Sequence, residues 1–142
     1  MRWIRFTADH NTAYGIVEDD RVVAVDGDPF KGYARTTRAY PLASVKLEVP
    51  VIPGTFYCAG LNYVSHVVGM AAKGGRPANI PTKPDIGYRG PSALIAHNQP
   101  VVIPHDATEK VQYEGELVVV IGHKAKHLGE ADALSCALGY TI

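Results

Sequence analysis

The sequence predicts a mainly β or α+β protein. Most of its apolar segments are short, and clusters of glycine, proline, asparagine and aspartate separate them. Only two segments have the character of a short helix. The hydrophobic fraction of 46% and the charged fraction of 20% are typical of a globular protein. A chain of 142 residues fits one domain, or a small module joined to part of a larger one.

The N-terminal part predicts a small β module over residues 1–50. Turn-forming residues separate three apolar segments, which suits a meander, and none of the three carries a catalytic constellation. The module is expected to end between Pro41 and Pro53, where prolines interrupt any regular element. The three predicted strands are residues 2–7, 13–18 and 21–25.

The remaining residues, 51–142, predict the N-terminal part of a second domain. Its first elements are a strand over 55–59 and a helix over 63–72, which Asn62 could cap. A long loop with several prolines follows over 76–85, and such loops are often lids or binding loops. Further strands are predicted over 92–95, 100–104 and 117–121, a helix over 130–138, and a strand from Gly139 onward.

The run from Leu117 to Ile121 is unbroken and apolar, so it predicts a strand that is buried on both faces. The chain ends at Ile142, inside the strand predicted from Gly139 onward. We therefore expect it to be the N-terminal half of a longer protein.

The charge balance and the lengths of the apolar runs argue against two classes of partner. Lys plus Arg and Asp plus Glu both number 14, so we expect no basic field for nucleic acid. No apolar run approaches the roughly 20 residues that cross a bilayer, so we expect no membrane partner. Cys58 and Cys136 form neither a C-x-x-C pair nor a disulfide framework, which predicts reduced thiols in a cytoplasmic protein.

Glu114 and Glu116 are the candidate metal ligands. Side chains two apart on a strand share a face, which places the two backbones about 6–7 Å from each other. The pair leads directly into the apolar run at Leu117, where two like charges would be costly to desolvate. A hard divalent cation relieves that cost. The alternative is an exposed edge strand with two solvated glutamates.

Two further groups are candidates for catalysis and substrate binding. His66 follows a predicted strand and lies in the first turns of a helix, where it could act as a general base. Arg89 could hold a carboxylate bidentately, with Tyr88 beside it and the Ser92 hydroxyl assisting. Each group also has a non-functional alternative. His66 could be a structural or surface histidine, and Arg89 could be a solvated arginine in a loop.

Three segments together resemble the fumarylacetoacetate hydrolase family. Residues 60–66 resemble its G-x-N-Y-x-x-H segment, and Lys83-Pro84 followed by residues 88–92 resembles its K-P…F-x-K-x-x-S segment. Residues 113–122 are similar to its Y-E-x-E-L-x-V-V-I-G segment, which is the most specific of the three. The resemblance covers residues 53–142, and residues 1–50 resemble the β module that precedes the catalytic domain in many members.

The resemblance implies a rolled mixed β-sheet that holds Mg²⁺ or Mn²⁺ at its mouth, with Glu114 and Glu116 as ligands. It implies that His66 is a base on a mobile lid and that the enzyme is a homodimer. The substrate would be a 2-oxo acid or an acylpyruvate-like compound, cleaved by C–C bond hydrolysis through a metal-stabilised enolate. Decarboxylation, isomerisation and hydration are the alternative reactions within the family. The alternative to an enzyme is a non-catalytic family relative that acts as a binding or scaffold protein.

The sequence departs from the family pattern at four positions. Gly87 replaces an aromatic residue, and Arg89 stands where a lysine is common. Gly69 stands three residues after His66, where many members have a glutamate that orients the histidine. The third metal ligand, an aspartate, should follow the strand at Gly139, but the sequence ends at Ile142. The 142 residues alone are therefore expected to be inactive.

Overall fold

The computed structural model of the protein describes residues 1–107 and 109–142. These residues form antiparallel β-sheets with one α-helix and three short 3₁₀ segments, so the predicted mainly β fold is confirmed. The chain divides into two compact units. One contains Met1–Val51 and Ile95–Ile142, and the other contains Ile52–Leu94. In the described part of the chain, no helix is long and apolar enough to cross a membrane.

The N-terminal residues form a five-stranded antiparallel sheet in the order β4-β3-β2-β1-β5. The three strands predicted from apolar segments are present, and β1 turns into β2 through Asp9 and His10, both with positive φ. The other two strands of the sheet were not predicted. The strands are β1 (Arg2–Ala8), β2 (Asn11–Glu18), β3 (Arg21–Asp28), β4 (Gly32–Pro41) and β5 (Lys46–Glu48).

The edge strand β4 is mostly exposed, which explains why no apolar pattern predicted it. It pairs with β3 along its length, and two exposed ion pairs link it to β2 and β3. Arg35 Nη2 lies 2.6 Å from Glu18 Oε1, and Arg38 Nη2 lies 2.8 Å from Asp26 Oδ1. Charged side chains on an edge strand also oppose pairing with a foreign strand.

The core of this sheet is built from Phe6, Val22 and Ala24, all of which are buried. Gly15 lies opposite Ala24 and packs beneath this cluster. A Cβ at position 15 would overlap the Val22 side chain and would lie 2.8 Å from Phe6 Cε1. The sheet therefore requires glycine at this position.

The short strand β5 is joined to β1 by side chains as well as by the ladder. Thr7 Oγ1 donates a 2.8 Å hydrogen bond to Glu48 Oε1, and Lys46 Nζ lies 2.9 Å from the same oxygen. The hydrogen bond from Lys46, with that from Thr7, lowers the pKa of the Glu48 carboxyl. Lys46 belongs to β5 itself, so the charged form of Glu48 favours the docking of β5 on β1 only through the hydrogen bond from Thr7.

The second unit contains a two-stranded ribbon and the α-helix. Strands β6 (Phe56–Gly60) and β7 (Asp85–Arg89) pair antiparallel, and α1 (Val64–Lys73) follows β6. The predicted strand and helix are confirmed, each shifted by one residue toward the C-terminus. Strand β7 was not predicted, and only its first residue, Asp85, falls in the loop predicted over 76–85. The N-cap of α1 is Tyr63, so the prediction that Asn62 caps the helix is wrong.

Strands β8 (Val118–Ile121) and β9 (Ala137–Thr141) form a second ribbon. The prediction that 117–121 is buried on both faces is wrong, because Val119 is 42% exposed and Ile121 is 56% exposed. In the described residues β8 pairs only with β9, and the exposed Val119 and Ile121 leave one face of this ribbon uncovered.

Three other predicted elements have different structures. No strand forms over 92–95 or 100–104. The first segment overlaps a 3₁₀ turn, Pro91–Ala93, and the second begins and ends with prolines that lack the N–H of a ladder. The segment predicted as a helix over 130–138 is 3₁₀ over Glu130–Cys136 and continues into β9.

Candidate metal centre and substrate site

The two candidate metal ligands lie just before a strand. Glu114 and Glu116 belong to an irregular segment, and β8 begins only at Val118. The expectation that a strand fixes both side chains on one face is therefore wrong for these residues. Both carboxylates are exposed, and the neighbouring Tyr113 is fully exposed. Because water reaches both carboxylates, there is no desolvation cost that a cation would have to offset.

The surroundings of this pair leave room for a bound ion. A Cβ at Gly115 would meet no heavy atom within 4 Å. None of the ion pairs formed by the described residues includes Glu114 or Glu116. Carboxylate oxygens are the donors that Mg²⁺ and Mn²⁺ prefer, so the chemistry of the pair fits a hard cation. Over residues 1–107 and 109–142, no cluster of three or more His, Cys, Asp or Glu side chains completes a metal site.

His66 is in the first turn of α1 and is exposed. The helix buries its opposite side through Val67 and Ala71. Residues three and four positions apart are neighbours on a helix surface, so Gly69 and Met70 are the positions next to His66 toward the C-terminus. Neither carries a carboxylate, and a Cβ at Gly69 would meet nothing within 4 Å. The helix therefore offers no acid at these positions to orient His66.

Tyr88 and Arg89 are adjacent on β7 and project from opposite faces of the β6–β7 ribbon, because side chains alternate along a strand. Tyr88 pairs in register with Tyr57, and their ring centroids are 5.1 Å apart. Arg89 is on the other face and is exposed, and its Nη1 lies 3.5 Å from the Tyr88 carbonyl oxygen. A small ligand held against this face of the ribbon would contact Arg89 and not Tyr88.

Gly87 gives Arg89 its room on that face. A Cβ at position 87 would lie 3.1 Å from Cys58 Sγ and 4.0 Å from Arg89 Nη1. The glycine, which departs from the family's aromatic residue, thus leaves space that the thiol and the guanidinium line together. Ser92 lies three residues beyond Arg89 in the exposed turn that follows β7.

Sequence reasoning left out Asp85, which is two and four residues from Gly87 and Arg89 and shares their face. Its Oδ2 would lie 3.3 Å from a Cβ at Gly60, its register partner. This face therefore carries an acid at one end and a base at the other. The alternation of positions 85, 87 and 89 could have shown this, had the segment been assigned as a strand.

Comparison with known proteins identifies the two parts of the chain separately. Residues 55–142 match a family model described as fumarylacetoacetate (FAA) hydrolase C-terminal. Residues 1–50 match one described as Rv2993c-like, N-terminal.

Three relatives show how much of a longer protein these residues represent. Protein Rv2993c of Mycobacterium tuberculosis is 40% identical over 114 residues, which are 80% of this chain and 40% of that protein. Oxaloacetate tautomerase YisK of Bacillus subtilis is 34% identical over 105 residues, 72% of this chain and 34% of that protein. The crystal structure of 5-carboxymethyl-2-hydroxymuconate delta-isomerase from Mycobacterium smegmatis matches with a TM-score of 0.82 and 31% identity, over 99% of this chain and 52% of that one. The chain thus spans about a third to a half of the length of these relatives.

Proposed function

Because the chain belongs to the fumarylacetoacetate hydrolase family, we propose that it forms part of a divalent-metal-dependent enzyme acting on a 2-oxo acid or acylpyruvate-like substrate. The observation that carries this proposal is the pair Glu114 and Glu116, two exposed carboxylates outside the ion pairs of the described chain. Two relatives whose names specify a tautomerase and an isomerase support the class of chemistry.

Glu114 and Glu116 would hold Mg²⁺ or Mn²⁺. Such a cation takes about six oxygen ligands, so this pair supplies a minority and the substrate, water and other residues supply the rest. When bound, the cation polarises a carbonyl group and stabilises negative charge on its oxygen. A Cβ at Gly115 would meet no heavy atom within 4 Å, so this position does not crowd the pair.

Arg89 would bind the carboxylate of the substrate. Its guanidinium is exposed on one face of the β6–β7 ribbon, with the Ser92 hydroxyl three residues further along the chain. A guanidinium can donate two parallel hydrogen bonds to a carboxylate, which fixes orientation as well as charge. Tyr88 projects from the other face, so in this proposal it contributes by packing against Tyr57 and contacts only a ligand that extends around the ribbon edge.

His66 would move the proton. A neutral imidazole can remove a proton from the carbon beside a polarised carbonyl, which yields an enolate. Return of that proton to the oxygen gives the enol, and its return at another carbon of a conjugated substrate gives the isomer. This sequence is a tautomerisation or isomerisation and consumes no water. C–C bond hydrolysis is the second candidate. It requires a water molecule oriented and deprotonated by His66, and Gly69 supplies no carboxylate to assist that step.

Metal binding can be tested on the 142-residue chain without activity. We expect Mn²⁺ to broaden the NMR resonances of residues 113–117 at concentrations that leave the five-stranded sheet unaffected. Glu114→Ala and Glu116→Ala should each abolish this selective broadening, and Glu130→Ala, an exposed glutamate in the same unit, should preserve it. Equal broadening in all four proteins would contradict the assignment of the ligands.

The reaction can then be tested on the intact protein that contains these residues. With Mn²⁺ and oxaloacetate, we expect keto–enol exchange above the rate in buffer. Glu116→Ala and His66→Ala should each lower kcat by about 10²-fold or more, in line with the loss of a charge-stabilising or proton-transferring group. Arg89→Ala should mainly raise KM. Saturable Mn²⁺ binding with no turnover of any 2-oxo acid would favour the non-catalytic alternative.

A further inference from the structure

One face of the β6–β7 ribbon carries an acid, a base and two glycines. Alternation along the strands puts Asp85, Gly87 and Arg89 of β7 on this face, together with Cys58 and Gly60 of β6. Gly60 is the register partner of Asp85, and Cys58 is the register partner of Gly87. The centre of this surface, which we call the Asp85–Arg89 face, is therefore backbone flanked by one thiol and two charged groups.

The charged side chains lie against the space that the glycines leave open. Arg89 Nη1 is 4.0 Å from the position that a Cβ at Gly87 would occupy, and Cys58 Sγ is 3.1 Å from the same position. Asp85 Oδ2 is 3.3 Å from the position of a Cβ at Gly60. A small ligand that lies over the two glycines can therefore contact the guanidinium at one end and the carboxylate at the other.

The acid and the base on this face are available to a ligand. None of the ion pairs formed by the described residues includes Asp85 or Arg89. Gly60 and Gly87 are diagonal neighbours across the ribbon, so the two Cβ positions are about 7–8 Å apart. Asp85 and Arg89 thus offer two separate contacts, spaced for the two ends of one short molecule.

The signs of the two charges specify the ends of that molecule. A guanidinium binds a carboxylate through two parallel hydrogen bonds. An ionised aspartate only accepts hydrogen bonds, so Asp85 favours a hydroxyl or ammonium group and repels a second carboxylate. Charge complementarity of this kind determines specificity more than affinity. The Cys58 thiol, a small and weakly polar group, suits the methylene chain that joins the two ends.

We propose that Asp85 is a specificity-determining residue. It selects 2-oxo acids that carry a hydrogen-bond donor at the far end of the chain over those that end in a second carboxylate. Gly60 and Gly87 leave the room for this chain. The role in substrate choice rests on the proposed function, in which Arg89 binds the carboxylate of the substrate. The selectivity for a ligand is a property of the ribbon and needs neither metal nor turnover.

Binding is tested first in the intact protein with three unreactive acids of equal chain length. The probes are 6-aminohexanoate, hexanoate and adipate, and the readout is the shift of the Gly60 and Gly87 amide resonances by NMR. We expect 6-aminohexanoate to bind roughly two- to fivefold more tightly than hexanoate, because an exposed ion pair has a modest effect. Adipate should bind no more tightly than hexanoate.

Variants assign this order to the two charged residues. Asp85→Asn should remove the preference for 6-aminohexanoate, and Asp85→Lys should reverse the order so that adipate binds most tightly. Arg89→Gln should weaken the binding of all three acids. Asp106→Asn changes an exposed aspartate of the other compact unit and, as the matched control, should keep the order. The amide resonances of α1 report whether each variant remains folded.

Turnover then separates this proposal from the proposed function. With Mn²⁺, we expect kcat/KM of keto–enol exchange to be higher for 6-hydroxy-2-oxohexanoate than for 2-oxoadipate, and Asp85→Asn should reduce that ratio mainly through KM. Equal affinity for the three unreactive acids, or a preference that Asp85→Asn retains, would overturn the proposal. The expected preference without turnover of any 2-oxo acid would refute the proposed function and confirm the ligand selectivity.

Discussion

Replacing Gly15 by alanine should destabilise the five-stranded sheet. A Cβ at this position would lie 2.8 Å from Phe6 Cε1 and even closer to the Val22 side chain. Phe6 is 1% exposed and Val22 is 0% exposed, so neither can move toward solvent. Overpacking a close-packed core costs about 1–3 kcal/mol, and the lower backbone entropy of unfolded alanine offsets about 0.4–1 kcal/mol of it. We expect a net loss of about 1–2 kcal/mol in the free energy of unfolding.

Urea unfolding followed by Trp3 fluorescence measures this loss, because Trp3 is on β1 of the same sheet. Gly139→Ala in β9 is the matched control, since a Cβ there would meet no atom within 4 Å. The control should unfold at the same urea concentration as the wild type or slightly above it. A Gly15→Ala protein with an unchanged midpoint and slope would refute the packing argument.

Three further predictions concern acid stability and the candidate site. The pKa of Glu48 is lowered in the folded chain, so its charged form stabilises the fold above the pKa of the unfolded carboxyl, and this stabilisation is lost as pH falls through the pKa of the folded one. Glu48→Gln should therefore lose less stability than the wild type between neutral and acid pH, as urea titrations at several pH values would show. Gly69→Glu puts a carboxylate next to His66 on the helix, so in the intact protein it should raise the rate of acylpyruvate hydrolysis relative to that of keto–enol exchange. An unchanged ratio of these two rates would contradict the role given to this position. Gly87→Val should displace the Arg89 guanidinium, so that steady-state kinetics show KM raised severalfold with little change in kcat. An equal fall in kcat and kcat/KM would contradict this role.

The strands whose apolar residues alternate or run together were predictable from the sequence. Strands β4 and β7, which lack such a pattern, were not. Strands β1 to β3 pack apolar residues on the core, and their pattern is visible in one dimension. Strand β4 is held by its backbone pairing with β3, and its exposed residues add the ion pairs of Arg35 and Arg38 to residues that are distant in sequence. Strand β7 follows closely on Pro81 and Pro84 and is defined by its pairing with β6 rather than by its own residues.

The candidate site was predictable as a set of residues and not as an arrangement. The segment around Glu114 and Glu116 was identified from its resemblance to a family, since two glutamates separated by one residue are too common to indicate a metal. Their placement before β8 rather than on it depends on where backbone pairing begins, which the residue types do not specify. The opposite orientations of Tyr88 and Arg89 follow from the strand, and they could be derived only once the strand was known.

The two-sided character of the β6–β7 ribbon makes its chemistry separable for protein engineering. Substitutions at 85, 87 and 89 vary charge and space on one side, and the stacked tyrosines at 57 and 88 remain untouched on the other. A library restricted to the three odd-numbered positions would therefore vary charge and space on one face and leave the Tyr57–Tyr88 contact unchanged. The same number of changes at consecutive positions would alter both faces at once, including the packing of Tyr88 on Tyr57.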